Sequence, residues 1–132
     1  MAVADAFAIE RSLPHGHVEA VLAMINKLGL DGLIASKRCR QRDLVLAMIA
    51  CRLIHPASKP AATRLWRATT LAGELGAAGA DEDGLYAAMD WLLRRQPLIE
   101  KKLAARYLAD GALVLYDVTS SYYEGRTCPL MR

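Results

Sequence analysis

Apolar side chains recur at helical spacing through most of this chain, and at Gly111 that pattern gives way to an unbroken apolar run, Ala112-Leu113-Val114-Leu115, which closes on Asp117. Such a run, rich in strand-favouring types and bounded by Gly and Ser, reads as a strand buried on both faces. A carboxylate at its end costs several kcal/mol to desolvate unless hydrogen bonds, a cation or a metal compensate it. Val118 and Thr119 extend the strand, Ser120-Ser121 can turn it, and Tyr122-Tyr123 begin a second strand before Glu124-Gly125. The expectation is a hairpin over 111–125. A lone hairpin is marginal in water, so more sheet or covering helices are expected beyond it.

The helical part divides at clear signals. Val18, Val21, Leu22, Ile25 and Leu28 share one face, and Gly29 is placed to cap it in a left-handed conformation. LDGLIASK reads as a turn with a short helical piece. A second helix from about Gln41 to Ile54 must stop near His55, because Pro56 follows, and its apolar circumference marks it as the centre of a bundle. Ser58 is a candidate N-cap for a third helix through Arg64, Leu65 and Trp66, with Pro60 in its first turn. LAGELGAAGADEDG reads as a loop, with room for a short helix around Leu71 to Leu75. Asp81 and Asp83 can each cap the next helix, whose buried face is expected to carry Leu85, Met89, Leu92 and Leu93. Pro97 is expected to interrupt it, with a further helix to about Leu108. The expected fold is mainly α, a helical bundle over 1–110 followed by a C-terminal β-hairpin over 111–132.

No apolar run reaches the roughly 18 residues of a membrane span, and Asp5 and Glu10 precede the first basic residue, Arg11, unlike a secretory signal. A cytoplasmic protein without membrane contact is expected. Its three cysteines have no C-x-x-C spacing, against a disulfide framework. Charge, by contrast, is strongly segregated. Lys37, Arg38, Arg40, Arg42, Arg52, Lys59, Arg64 and Arg67 face only Asp43 between residues 36 and 67, a local balance of +7 in a chain of net +3. A basic belt on an otherwise acidic chain suits nucleic-acid phosphates, and Lys37, Arg38, Arg40 and Arg42 are its candidate DNA contacts. The alternative is a solvated helix face.

Three blocks in order, RDLVLAMIACRLIHPASKPAATRLW, DEDGLYAAMDWLLRRQPLIEKKLAARYL and LVLYDVTSSYYEGRTCPL, resemble the helical lead-in and first catalytic strand of insertion-sequence transposases of the DDE type. The resemblance implies an RNase H-like α/β domain beginning in the hairpin, with Asp117 as the first catalytic, metal-binding carboxylate. It also implies DNA as partner, Mg²⁺ or Mn²⁺ as cofactor, and phosphoryl transfer by a two-metal clamp. The family's second aspartate and its glutamate lie downstream of the residues matched, so the chain is expected to be an inactive N-terminal fragment. Two other readings stand beside it. One is a non-enzymatic helical module that binds DNA or forms a homodimer. The other is an actin-like phosphate-binding domain, ranked last because Val118-Thr119-Ser120 stands where that loop needs a glycine.

The remaining constellations carry less. Cys51 and His55 share a helix face but lack the partner pair of a structural zinc site. His15 and His17 have no nearby nucleophile, and Ser120 and Ser121 lack the G-x-S-x-G context. Trp66, Trp91, Tyr86 and Tyr107 fall in helical patterns and are expected in the core. Glu124 is read as structural.

Overall fold

The computed structural model describes residues 8–111 and 113, and among these the regular structure is six α-helices with no strand: α1 Gly16–Leu28, α2 Leu30–Ile34, α3 Arg40–Ile54, α4 Lys59–Trp66, α5 Leu71–Glu74 and α6 Glu82–Tyr107. The expected hairpin, Asp117 and Glu124 lie outside the described residues.

Helix α3 is the centre, as its circumference requires. Leu44, Val45, Leu46, Ala47, Ala50 and Cys51 are all buried, and the most extensive helix pairing sets α3 against α6. Val18 and Ile25 of α1, Ala62 and Trp66 of α4, and Leu85 and Ala88 of α6 close the core around it. Burying a large aliphatic side chain stabilises by about 1.5–3 kcal/mol, so these contacts rather than helix propensity hold the short helices.

Glycine has a definite task at the α1–α2 junction. Gly29 adopts φ +64°, its N–H bonds to Asn26 O at 2.9 Å, and its own carbonyl accepts from Leu33 N at 3.0 Å, so one residue both ends α1 and starts α2.

Some expectations hold and others are corrected. Pro97 does not divide α6, which runs unbroken from Glu82 to Tyr107. The missing N–H leaves the carbonyl of Leu93 without its helical donor, but Leu93 is 65% exposed and water can serve that oxygen. Ser58 is the N-cap residue of α4, as expected, with Pro60 in the first turn, though its side chain makes no cap hydrogen bond. Asp81 does cap α6, accepting from Gly84 N at 2.9 Å. On α6, Met89 and Leu93 are exposed rather than buried, as are Tyr86 and Tyr107. The stretch 71–84 contains the short helix expected around Leu71, α5, and it buries Leu71, Ala72, Ala77 and Ala80.

Candidate nucleic-acid interface

The eight cations of the basic belt do not share one environment. Arg42, on the first turn of α3, is only 11% exposed; its Nη1 donates to Ala35 O at 3.2 Å and lies 3.8 Å from Asp31 Oδ2. Its Nε sits 3.7 Å from Asp43 Oδ1, near enough for attraction and too far for a hydrogen bond. Arg38 is bound from the other side, its Nε donating to Asp43 Oδ2 at 2.7 Å. That hydrogen bond and the neighbouring carboxylate charge raise the Arg38 pKa above its ordinary value. Asp43, the belt's one acid, is thus buried beneath two guanidinium groups.

The hollow beside this trio is acidic: Glu19, Asp31, Asp43 and Glu74 line it with Arg38 and Arg42. Of the four candidate DNA contacts, Lys37 in the α2–α3 turn and Arg40 at the start of α3 are exposed and free of ion pairs among the described residues. Arg38, 63% exposed, and the largely buried Arg42 are each paired with a carboxylate.

A different group of cations stands open. Arg52 near the end of α3, Arg64 on α4 and Arg67 just after it are exposed, and none has an ion-pair partner among the described residues. Lys59 opens α4 half-buried. The N-terminal lead-in adds one more, since the Arg11 guanidinium donates to Arg67 O at the end of α4, while Thr70 N donates to Pro14 O at 3.4 Å and His15 Nδ1 lies 2.8 Å from Thr70 Oγ1. Charge counting along the chain places the eight cations of residues 36–67 in one belt; only the helix packing separates those with ion pairs from those without among the described residues.

Three cations of the long helix α6, Arg95, Lys102 and Arg106, are bound to main-chain oxygens. Arg95 Nε donates to Ile34 O at 2.7 Å, and Lys102 Nζ to Gly32 O at 2.9 Å and Leu33 O at 3.2 Å. With Arg42 on Ala35 O, every carbonyl from Gly32 to Ala35 at the end of α2 receives a cationic donor, and Arg106 does the same for Leu28 O of α1 at 2.8 Å. Helix C-termini leave four such oxygens unpaired and carry partial negative charge, which explains the attraction. Arg95 also stacks on Trp91, 5.0 Å from the ring centre.

Between α3 and α6 the surface is apolar. Two adjoining hollows of about 460 and 590 Å³ share Val45, Ile49, Met89 and Leu92. Burial pushes the Cys51 thiol above its ordinary pKa, against the opposing effect of the Trp66 indole, and its Sγ lies 3.6 Å from His55 O. Among the described residues no three His, Cys, Asp or Glu side chains come together as a metal site, and no helix is long and apolar enough to cross a membrane. No protein-family model, curated protein or solved structure matches the chain at a significant level.

Proposed function

We propose that this chain serves DNA transposition as the DNA-binding helical part of a DDE-type transposase, with Asp117 as the first metal-binding carboxylate of an RNase H-like domain. The observation that carries the reading is the set of exposed cations, Lys37, Arg40, Arg52, Arg64 and Arg67, which have no ion-pair partner among the described residues, whereas Arg38 and Arg42 are paired with Asp43 and Asp31. The resemblance of LVLYDVTSSYYEGRTCPL to the family's first catalytic strand supports the assignment of Asp117. In this reading a metal centre would be built around Asp117 and further carboxylates, and the helical part would contribute DNA contacts.

Phosphate neutralisation releases counterions, so binding to a generic duplex should weaken with salt at a log–log slope of about −0.9 per contacted phosphate. Fluorescence anisotropy of a labelled duplex with the full chain, at several salt concentrations, measures this. Absence of binding at low salt, or a slope near zero, refutes the reading.

The apolar surface between α3 and α6 favours a second reading, a module that forms a homodimer without enzymatic activity. Light scattering during gel filtration would show a mass twice that of the chain, and Leu93→Glu would reduce it to one.

A further inference from the structure

We infer that α6 pairs antiparallel with α6 of a second copy of this chain, along an exposed stripe from Tyr86 to Tyr107 and about a twofold axis between Gln96 and Pro97. The inference rests on the homodimer reading and assigns its seam and orientation.

Helix α6 carries two stripes where a helix at the edge of a bundle needs one. Leu85, Ala88 and Leu92 pack into the chain's own core, and Arg95 and Lys102 continue that side onto the carbonyls of α2. One step round the helix, positions 86, 89, 93, 96, 100, 103 and 107 form a second stripe with spacings that alternate between three and four, and all of them are exposed. Tyr86, Met89, Leu93, Leu103 and Tyr107 make it largely apolar, at 36% to 65% exposure. A strict three–four alternation held over about three heptads is the narrow seam of a paired helix, not the broader face that a helix turns to a globular core. Met89, Leu93 and Leu103 also form one wall of the 590 Å³ hollow whose far side includes Ile34, Val45 and Ile49, so side chains of a second helix meet a groove already shaped to receive them.

Charge selects a second α6 as the occupant and sets its direction. From Glu82 to Trp91 the helix has Glu82, Asp83 and Asp90 and no base, whereas from Leu92 to Tyr107 it has Arg94, Arg95, Lys101, Lys102 and Arg106 against Glu100 alone. An antiparallel pair lays each acidic half on a basic half. With the axis between Gln96 and Pro97, Tyr86 lies level with Tyr107 of the second copy, Asp90 comes within one turn of Lys101 of the second copy, and Glu100 lies beside Arg94 of the second copy. Asp90, Arg94 and Lys101 are exposed and have no ion-pair partner among the described residues. A parallel pair would instead set Glu100 against Glu100 within the seam and Asp90 against Asp90 at its edge, where like charges repel.

The test is orientation-specific disulfide cross-linking of the full chain in a Cys39→Ser/Cys51→Ala/Cys128→Ser background, with copper–phenanthroline as oxidant. Gln96→Cys, beside the axis, should cross-link to itself; Tyr86→Cys should not, but should join Tyr107→Cys when the two proteins are mixed. In the chain with its native cysteines, Asp90→Lys and Lys101→Asp should each raise the dimer dissociation constant about tenfold by analytical ultracentrifugation, because a dimer holds the pair twice, and Asp90→Lys/Lys101→Asp should restore it. Residues 90 and 101 are about 16 Å apart along one helix, so the rescue reports contact between copies. Self-linking of Tyr86→Cys as fast as that of Gln96→Cys, or a dimer in which the charge exchange gives no rescue, overturns the inference while the homodimer reading stands. A wild-type chain of monomeric mass refutes both.

Discussion

Asp43→Ala should unfold this protein more easily than any other single charge removal in the basic belt. The carboxylate is buried, its side chain 12% exposed, and it faces Arg42, itself 11% exposed, at 3.7 Å. Removing one member of a buried ion pair typically costs about 3–5 kcal/mol, because the survivor keeps its desolvation penalty. Here the lower end applies, about 3 kcal/mol, since Asp31 at 3.8 Å and Ala35 O still compensate Arg42 in part. Arg38 is 63% exposed, so water screens its pair with the same carboxylate and the loss of that pair adds little. A loss of about 3 kcal/mol corresponds to a fall in Tm of about 10–15 °C for a domain of this size. Urea unfolding followed by circular dichroism gives the free energy directly. Replacing both partners, Arg42→Met with Asp43→Leu, should recover stability to within about 2 kcal/mol of wild type, because no buried charge is then left alone. A loss below about 1 kcal/mol for Asp43→Ala, at unchanged m-value, would refute the claim that this carboxylate compensates a buried guanidinium.

Arg95→Met and Lys102→Met should each destabilise by about 1–2 kcal/mol, the range for a partly exposed hydrogen bond from a charged donor, and hydrogen exchange should show faster opening of α2 without loss of α3 protection. Cys51 should react with iodoacetamide more slowly than Cys39, read by peptide mass mapping, because its thiol is buried and its pKa raised. The stability that comes from keeping Cys51 neutral is complete below the ordinary thiol pKa and is lost as pH rises through the higher folded-state value; a Cys51→Ala variant should show a smaller decline in Tm over that alkaline range.

Much of the helical framework was legible because its signals are local. The period from Val18 to Leu28 with Gly29 behind it, and the apolar circumference ended by Pro56, fix α1 and α3 almost to the residue. The errors arose where the outcome depends on what lies opposite. Leu85, Met89 and Leu93 all have the right spacing for a core face, yet α6 buries Leu85 with Ala88 and leaves Met89 and Leu93 exposed beside the hollows between α3 and α6. Pro97 has a local cost, but both Pro97 and Leu93 lie on the exposed side of α6, and that rotation of the helix is settled by tertiary packing. For the belt, sequence gave the charge and could not divide it: Asp43 lies five residues after Arg38 and next to Arg42, and only the fold of the turn brings both onto one carboxylate. Arg64 and Arg67 carried the same charge signal; their freedom from partners appears only after packing.

The cationic donors that secure α2 all address main-chain oxygens. A peptide carbonyl is common to every amino acid, so these hydrogen bonds hold α2 by its backbone, while its side chains are constrained separately: Asp31 answers Arg42 and Leu30 packs against the core. Substitution at the exposed Gly32 leaves the fastening through its carbonyl in place, whereas Arg42, Arg95 and Lys102 have no equivalent freedom. Tolerance to mutation is thereby unequal across this contact: permissive where only the accepting main chain is used, restrictive on the helices that donate.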